Sequence, residues 1–233
     1  MRLDKFLANA GVGSRSEVKN FCKKGFVKVN DVTVKNSDYT VNEQTDLITV
    51  QGKQISLVKN HYYMLHKPVG VVSSTSEKNE QTVIDLLPVA LRKNIFPVGR
   101  LDKDTTGLLL LTDDGVLAHE LLAPKKHVDK VYLVTCAGPV DVLQTELLEN
   151  GVDIGEDALT LPAKVVCLSE ANQILLTIHE GKFHQVKRML KAVGNEVLKL
   201  KRLQMGSLCL DETLLPGEYR ELSESEIHSL KSL

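Results

Sequence analysis

The sequence predicts an α+β protein in two parts. In the first 35 residues two short helical patterns precede an alternating hairpin pattern, and from His61 onward strand-type runs are interspersed with short helices. Four successive leucines, Leu108 to Leu111, stand between Gly107 and the turn-forming Thr112-Asp113-Asp114-Gly115 and read as a strand buried on both faces.

Taken in order, Leu3, Phe6, Leu7 and Ala10 share one helical face, and Gly11-Val12-Gly13 breaks that helix. Ser14 can cap the next one with Glu17 completing a capping box, so a helix is expected from Arg15 to Lys23, closed by Gly25. Phe26 to Val34 alternates about Asn30-Asp31, a hairpin pattern. The first module is expected to span residues 1–59, with a hinge within 51–60, and a second domain to span 60–233. There Tyr62 to Leu65 reads as a strand, Lys67-Pro68-Val69-Gly70 as a turn, and Val71-Val72 as a return to strand. Thr112-Asp113-Asp114 can cap a helix from Val116 to Leu122 that Pro124 stops. Strands follow at Lys130 to Thr135 and Ile174 to Ile178. The turn at Glu180 to His184 then opens a basic helix with Val186, Met189, Leu190 and Val193 on its apolar face and Gly194 as its cap.

Bulk charge is uninformative, since 29 Lys+Arg oppose 30 Asp+Glu in the 233 residues. Its distribution is not. Residues 1–35 carry eight Lys or Arg against three acids, and residues 181–202 carry seven against Glu196 alone, two basic islands suited to a polyanion. Cys22, Cys136, Cys167 and Cys209 form no CxxC pair and read as small core hydrophobes. No apolar run reaches the ~20 residues of a spanning helix, and the N-terminus has no signal-peptide shape, so a cytoplasmic protein with reduced thiols is expected. The histidines lack metal-ligand spacing, and no phosphate-cradling GxxxxGK[ST], GxGxxG or nucleophile elbow occurs. Neither a metal nor a nucleotide cofactor is expected.

Chemistry concentrates at Gly99-Arg100-Leu101-Asp102-Lys103-Asp104, where two carboxylates precede the leucine strand. Such charge is costly beside a core unless it is paired or used. This GRLDxxTxGLLLLT pattern resembles the signature of the ribosomal small subunit pseudouridine synthase A family. The resemblance extends to the KPxG turn at Lys67, to the KxYxV pattern around Tyr132, to Gly181-Lys182-Phe183-His184-Gln185-Val186-Lys187-Arg188-Met189, and to the closing Leu215-Pro216-Gly217-Glu218-Tyr219-Arg220. Lys182 stands where arginine is common. Residues 1 to 50 resemble an S4 RNA-binding domain.

The resemblance implies a catalytic domain built on a mixed, largely antiparallel sheet flanked by helices. It makes Asp102 the catalytic residue and leaves Asp104 as a loop or capping residue. Tyr132 would stack on an extruded uracil, and Lys187 would pair with the catalytic carboxylate. Lys67, Arg100, Leu101, Lys182, His184, Gln185 and Arg188 would face substrate or RNA, Lys67 through phosphate or the active-site network and His184 with a hydrogen bond inside its loop. Arg15, Lys19, Lys23 and Lys24 would contact phosphates without reading sequence. The implied activity is conversion of one uridine of 16S rRNA, uridine 516, to pseudouridine on a partly assembled small-subunit particle, by a monomer without cofactor. An ionised Asp102 could attack C1′, attack C6 or remove the ribose 2′ proton. A 23S rRNA enzyme of the same architecture, and a non-catalytic RNA-binding assembly factor, are the alternative expectations.

Overall fold

Ser14 and Glu17 form the capping box expected of them, the Ser14 hydroxyl accepting from the Glu17 amide and the Glu17 carboxylate from the Ser14 amide. The structure, a computed structural model, describes all residues except 44, 57–59, 124, 125, 170 and 171. It divides into two compact units, Met1–Lys59 and Asn60–Leu233.

In the first unit, helices α1 (Leu3–Asn9) and α2 (Arg15–Lys23) precede strands β1 (Val27–Val29), β2 (Val32–Thr33), β3 (Ile48–Val50) and β4 (Lys53–Ile55). Leu3, Phe6 and Leu7 of α1, Val18 and Cys22 of α2, and Val27, Val29, Ile48 and Val50 of the sheet form one core. This packing supplies what helices of seven and nine residues lack alone. Asn30 and Asp31 both have positive φ, so β1 and β2 turn back through the tight geometry that suits the sheet's twist. Gln51 and Gly52 repeat the device between β3 and β4. Residues 53–55 therefore belong to the sheet, which corrects the expected hinge over 51–60. Part of that stretch, 57–59, lies outside the described residues. The polar side of α2 leaves Arg15, Lys19 and Lys23 exposed, with Lys24 just beyond.

The second unit contains, in chain order, β5 (Tyr62–Lys67), β6 (Phe96–Pro97), β7 (Thr106–Thr112), α3 (Gly115–Leu122), β8 (Lys130–Cys136), α4 (Val142–Asn150), β9 (Lys164–Cys167), β10 (Gln173–Ile178), α5 (Gln185–Ala192), β11 (Val197–Met205), β12 (Leu208–Cys209), β13 (Tyr219–Glu221) and α6 (Glu224–Lys231). Its main sheet runs β13-β5-β7-β11-β8-β10-β9. The β7–β11 pair is parallel and the other described pairs of this sheet are antiparallel, so the sheet is mixed and largely antiparallel.

Strand β7 explains its own run of leucines. Leu109 and Leu111 join Leu65, Val134, Leu176, Met189 and Leu190 on one face, while Leu108 and Leu110 join Met64, Leu117, Leu121 and Met205 on the other. With both faces covered, the period-two alternation of side chains leaves no polar position. At the strand's start, Gly107 has φ +103, and a Cβ there would run into the Arg202 backbone. Glycine is what lets β7 and β11 approach before they separate, and Arg202 fills the opening by donating from Nε to the Leu108 carbonyl at 2.8 Å.

Elsewhere Asp114 caps α3 by accepting from the Leu117 amide, whereas the stop expected at Pro124 lies outside the described residues. Val72 makes only a single bridge, to Thr82, in place of the expected strand. Cys22 and Cys136 are buried as expected, but Cys167 and Cys209 are exposed, because both stand on outward positions of peripheral strands. No described helix is long and apolar enough to cross a membrane, and no metal-holding cluster of His, Cys, Asp or Glu occurs among the described residues.

Candidate active site

The loop ahead of β7 is held from beneath before it presents any side chain. Lys67, at the end of β5, is fully buried, and its Nζ donates to the carbonyls of Thr105 at 2.9 Å, Pro68 at 3.0 Å and Lys103 at 3.4 Å. The Gly70 amide donates to the Lys103 carbonyl at 2.8 Å, so the KPxG turn clasps the loop twice. Ser73 Oγ donates to the Leu101 carbonyl at 2.8 Å, and the Leu101 amide lies 3.1 Å from that same oxygen. Leu101 is buried in the core, and the Thr105 amide closes a turn on the Asp102 carbonyl at 3.1 Å. Between these fixed points the Asp102 side chain is one-quarter exposed, facing a cleft of about 70 Å³.

Helix α5 supplies the opposite wall. Its apolar face, Val186, Met189 and Leu190, is buried as the sequence predicts, which aims Lys187 at the loop. Lys187 Nζ stands 2.9 Å from Asp102 Oδ2 and 2.6 Å from Asp104 Oδ1, so one ammonium bridges both carboxylates. Burial works against the Lys187 charge, but its hydrogen bonds to Asp104 and Asp102 more than offset this and raise its pKa. The hydrogen bond from Lys187 holds Asp104 below the usual carboxylate range, against a smaller opposing effect of burial. Beneath the loop, burial pushes the Lys67 ammonium down to about 8, and the charges of Asp104 and Asp102 only partly oppose it.

Tyr132 on β8 is buried and lines the same cleft as Asp102, Lys187, Arg100, Leu101, Lys182, His184 and Gln185. A larger groove of about 960 Å³ shares Lys187 and Asp104 with it and continues past Pro139, Gln144 and Lys191. Asp102 and Tyr132 line the small cleft and not the large groove.

Several expected roles change with the geometry. Lys67 has no surface to offer a phosphate and acts as a three-point support for the loop. Arg188 turns inward, donating to the Ile154 carbonyl through Nε and Nη2, to Glu156 at 2.7 Å and to the Phe183 carbonyl at 3.0 Å. Its guanidinium ties the 154–156 segment to α5, so its charge is engaged within the protein. Lys182 lies 3.5 Å from Glu180 and 3.7 Å from Glu156, so its charge is opposed within the protein. Gln185 is buried, accepting from the Lys182 amide and donating to Glu180, and shapes the turn from inside. Among the described residues His184 makes no side-chain hydrogen bond inside its loop. It adopts a left-handed backbone, φ 49° and ψ 33°, stacks on Phe183, and brings Nε2 to 3.6 Å from Asp102 Oδ1. Asp104, expected to be a loop or capping residue, is a partner of Lys187, and Ser73 anchors the loop without any local motif to announce it. Arg15, Lys19, Lys23 and Lys24 belong to the other unit.

These features coincide with the outcome of comparison with known proteins. A family described as RNA pseudouridylate synthase matches residues 61–192, and the S4 domain family matches residues 1–47. The chain belongs to the RNA pseudouridylate synthase family, with an S4 domain at its N-terminus. It is 50% identical to an uncharacterized RNA pseudouridine synthase of Bacillus subtilis, over 99% of this chain and 98% of that one. It is 46% identical to ribosomal small subunit pseudouridine synthase A of Vibrio cholerae, over 99% of each chain. A solved structure described as a pseudouridylate synthase superposes with a TM-score of 0.71 at 39% identity, over 99% of both chains.

Proposed function

We propose that this protein converts one uridine of 16S rRNA to pseudouridine, uridine 516 by the family resemblance, with Asp102 as its catalytic residue. Relatives named ribosomal small subunit pseudouridine synthase A, at 38–46% identity across the whole chain, support the small-subunit target. The observation that carries the residue assignment is the placement of Asp102 and Tyr132 in one cleft with Lys187 2.9 Å from the Asp102 carboxylate.

The reaction breaks the N1–C1′ bond, rotates the uracil and forms a C5–C1′ bond; the C5 hydrogen leaves to solvent and N1 takes up a proton. No electrons are gained or lost overall. Attack at C1′, attack at C6 and removal of the 2′ proton all begin from a carboxylate aimed into the cleft. Lys187 fixes that carboxylate, and Tyr132 offers its ring to the base. Extruding the uridine costs a few kcal/mol, which stacking and basic surface offset. Leu101 and Leu200 give the cleft a dry wall that shields a detached uracil from water. Arg100 stands exposed at the cleft for RNA contact, and Arg15, Lys19, Lys23 and Lys24 hold phosphates outside it. In this reading residues 1–59 bind RNA and 60–233 do the chemistry, in the cytoplasm, as a monomer on a partly assembled small-subunit particle.

The test is tritium release from [5-³H]uridine-labelled 16S transcript and its protein-bound assembly intermediates, beside 23S transcript. Release from 16S substrates alone is expected. Release from 23S alone would move the target, and tight binding without release from any substrate would favour a non-catalytic assembly factor.

A further inference from the structure

Phe183 lies at the rim of the cleft with 74% of its surface exposed, although nearly every other aromatic ring in the second unit is covered. Its backbone is fixed. The Arg188 guanidinium donates to its carbonyl at 3.0 Å, and the flanking residues are tied by the Gln185 amide to the Lys182 carbonyl and by the Arg188 amide to the His184 carbonyl. Its ring stacks on His184 with centroids 3.8 Å apart and planes 19° from parallel, and His184 itself lines the cleft beside Asp102. The left-handed turn at His184 opens α5 and leaves Phe183 outside the helix, away from the apolar face that α5 buries. Fixing a bare aromatic face beside a polar cleft exposes apolar surface with nothing gained in the free protein, which is a mark of a contact surface.

We infer that Phe183, backed by His184, is a stacking platform for the base next to the extruded uridine. The argument deepens the proposed function and rests on its assignment of the Asp102 cleft to that uridine. The cleft is small and Phe183 lies outside its lining, against His184, so a nucleotide next to one seated at Asp102 meets the rim where Phe183 lies. Pulling a uridine out of the chain exposes a face of its neighbour, and an aromatic ring recovers that lost stacking for any base, since every base has a π-face. His184 stiffens the platform and links it to the catalytic loop, so seating the neighbour also sets the height at which the uridine meets Asp102.

The chain contains no tryptophan, so Phe183→Trp gives the protein a single indole at the platform. Indole emission is followed on adding 16S transcript, its assembly intermediate or 23S transcript, whichever the unmodified protein converts by tritium release. Quenching on binding is expected, together with near-normal kcat/KM for Phe183→Trp and a loss of about tenfold for Phe183→Leu. The leucine keeps an apolar side chain but has no ring, and the site is exposed, so thermal unfolding should match the parent. Emission unchanged in a saturated complex, with Phe183→Leu as active as the parent, would overturn the platform. Quenching and turnover on 23S but not 16S would support the platform while refuting the proposed target.

Discussion

In residues 1–35 the cations Arg15, Lys19, Lys23 and Lys24 stand exposed on and just after α2, whereas in residues 181–202 most of a comparable basic cluster is bonded inside the protein. Lys187 bridges two carboxylates, Lys182 faces Glu156 and Glu180, Arg188 binds the 154–156 segment, and Arg202 is 2% exposed within the sheet. Only Lys191 and Lys199 of the seven are exposed. Equal local charge thus serves two purposes. On α2 the cations are left exposed, and around α5 they brace the Asp102 loop and the 154–156 segment. What separates the two cases is distance along the chain: α5 meets acceptors 30 to 85 residues upstream, whereas among the described residues Arg15, Lys19, Lys23 and Lys24 form no ion pair.

The sharpest way to break this contrast is at Lys187. Lys187→Met leaves Asp102 and Asp104 facing each other without their shared cation, and kcat should fall at least about a hundredfold with little change in RNA affinity. Measured single-turnover rates and filter binding separate these effects, and parallel loss of both would make Lys187 an RNA contact instead. Next in size, changing Arg15, Lys19, Lys23 and Lys24 together to glutamine should reduce the slope of log Kobs against log[salt] by about 3, with the bound turnover rate intact. An unchanged slope would remove the first unit from RNA binding. Arg188→Ala should cost about 2 kcal/mol of stability, seen in denaturant unfolding, because it strands the carbonyls of Ile154 and Phe183 and leaves Glu156 with only the more distant Lys182. Its salt slope should stay that of the parent.

Lys67 gives the finest distinction, since its burial pushes its pKa from an ordinary value near 10.5 down to about 8. Between those values the unfolded chain binds the proton that the folded chain has released, so this group makes stability rise with pH across that window. Below pH 8 both states are protonated, and the desolvation penalty is present in full. Compared with Lys67→Met, the parent should gain stability from pH 8 to 10. Activity has the opposite dependence: a neutral amine has two protons for three carbonyls, so kcat should fall above pH 8 as the loop loses one support. Equal pH profiles of unfolding in the two proteins would show that Lys67 keeps its ordinary pKa in the folded protein and pays no desolvation cost there.

The same contrast marks what could be read from the sequence. The Ser14–Glu17 box, the Asn30-Asp31 turn, the leucine strand and the apolar face of α5 each depend on residues within a few positions of one another, and each appears as expected. The pairing of Asp102 with Lys187 was reached through motif resemblance, since 85 positions separate the two residues and nothing local joins them. The partners of Asp104, Ser73, Lys67 and Arg188 are not legible for that reason: a side chain's type does not reveal which distant group it will meet. Strand β4 was missed for a different one. Lys53 and Gln54 are exposed, so the strand shows none of the apolar alternation that betrays a half-buried one, and only the Gln51-Gly52 turn marked it.

The central claim is that the Asp102 carboxylate, presented by a loop clasped from below and fixed by Lys187, carries the isomerisation. Asp102→Asn removes the charge with almost no change of volume. The decisive measurement is single-turnover tritium release from saturated complexes of parent and Asp102→Asn protein on the same labelled rRNA, with dissociation constants measured alongside. The account predicts release slowed at least about a thousandfold while affinity stays within a few-fold of the parent. Release at the parent rate from an equally saturated complex would place the catalytic group elsewhere.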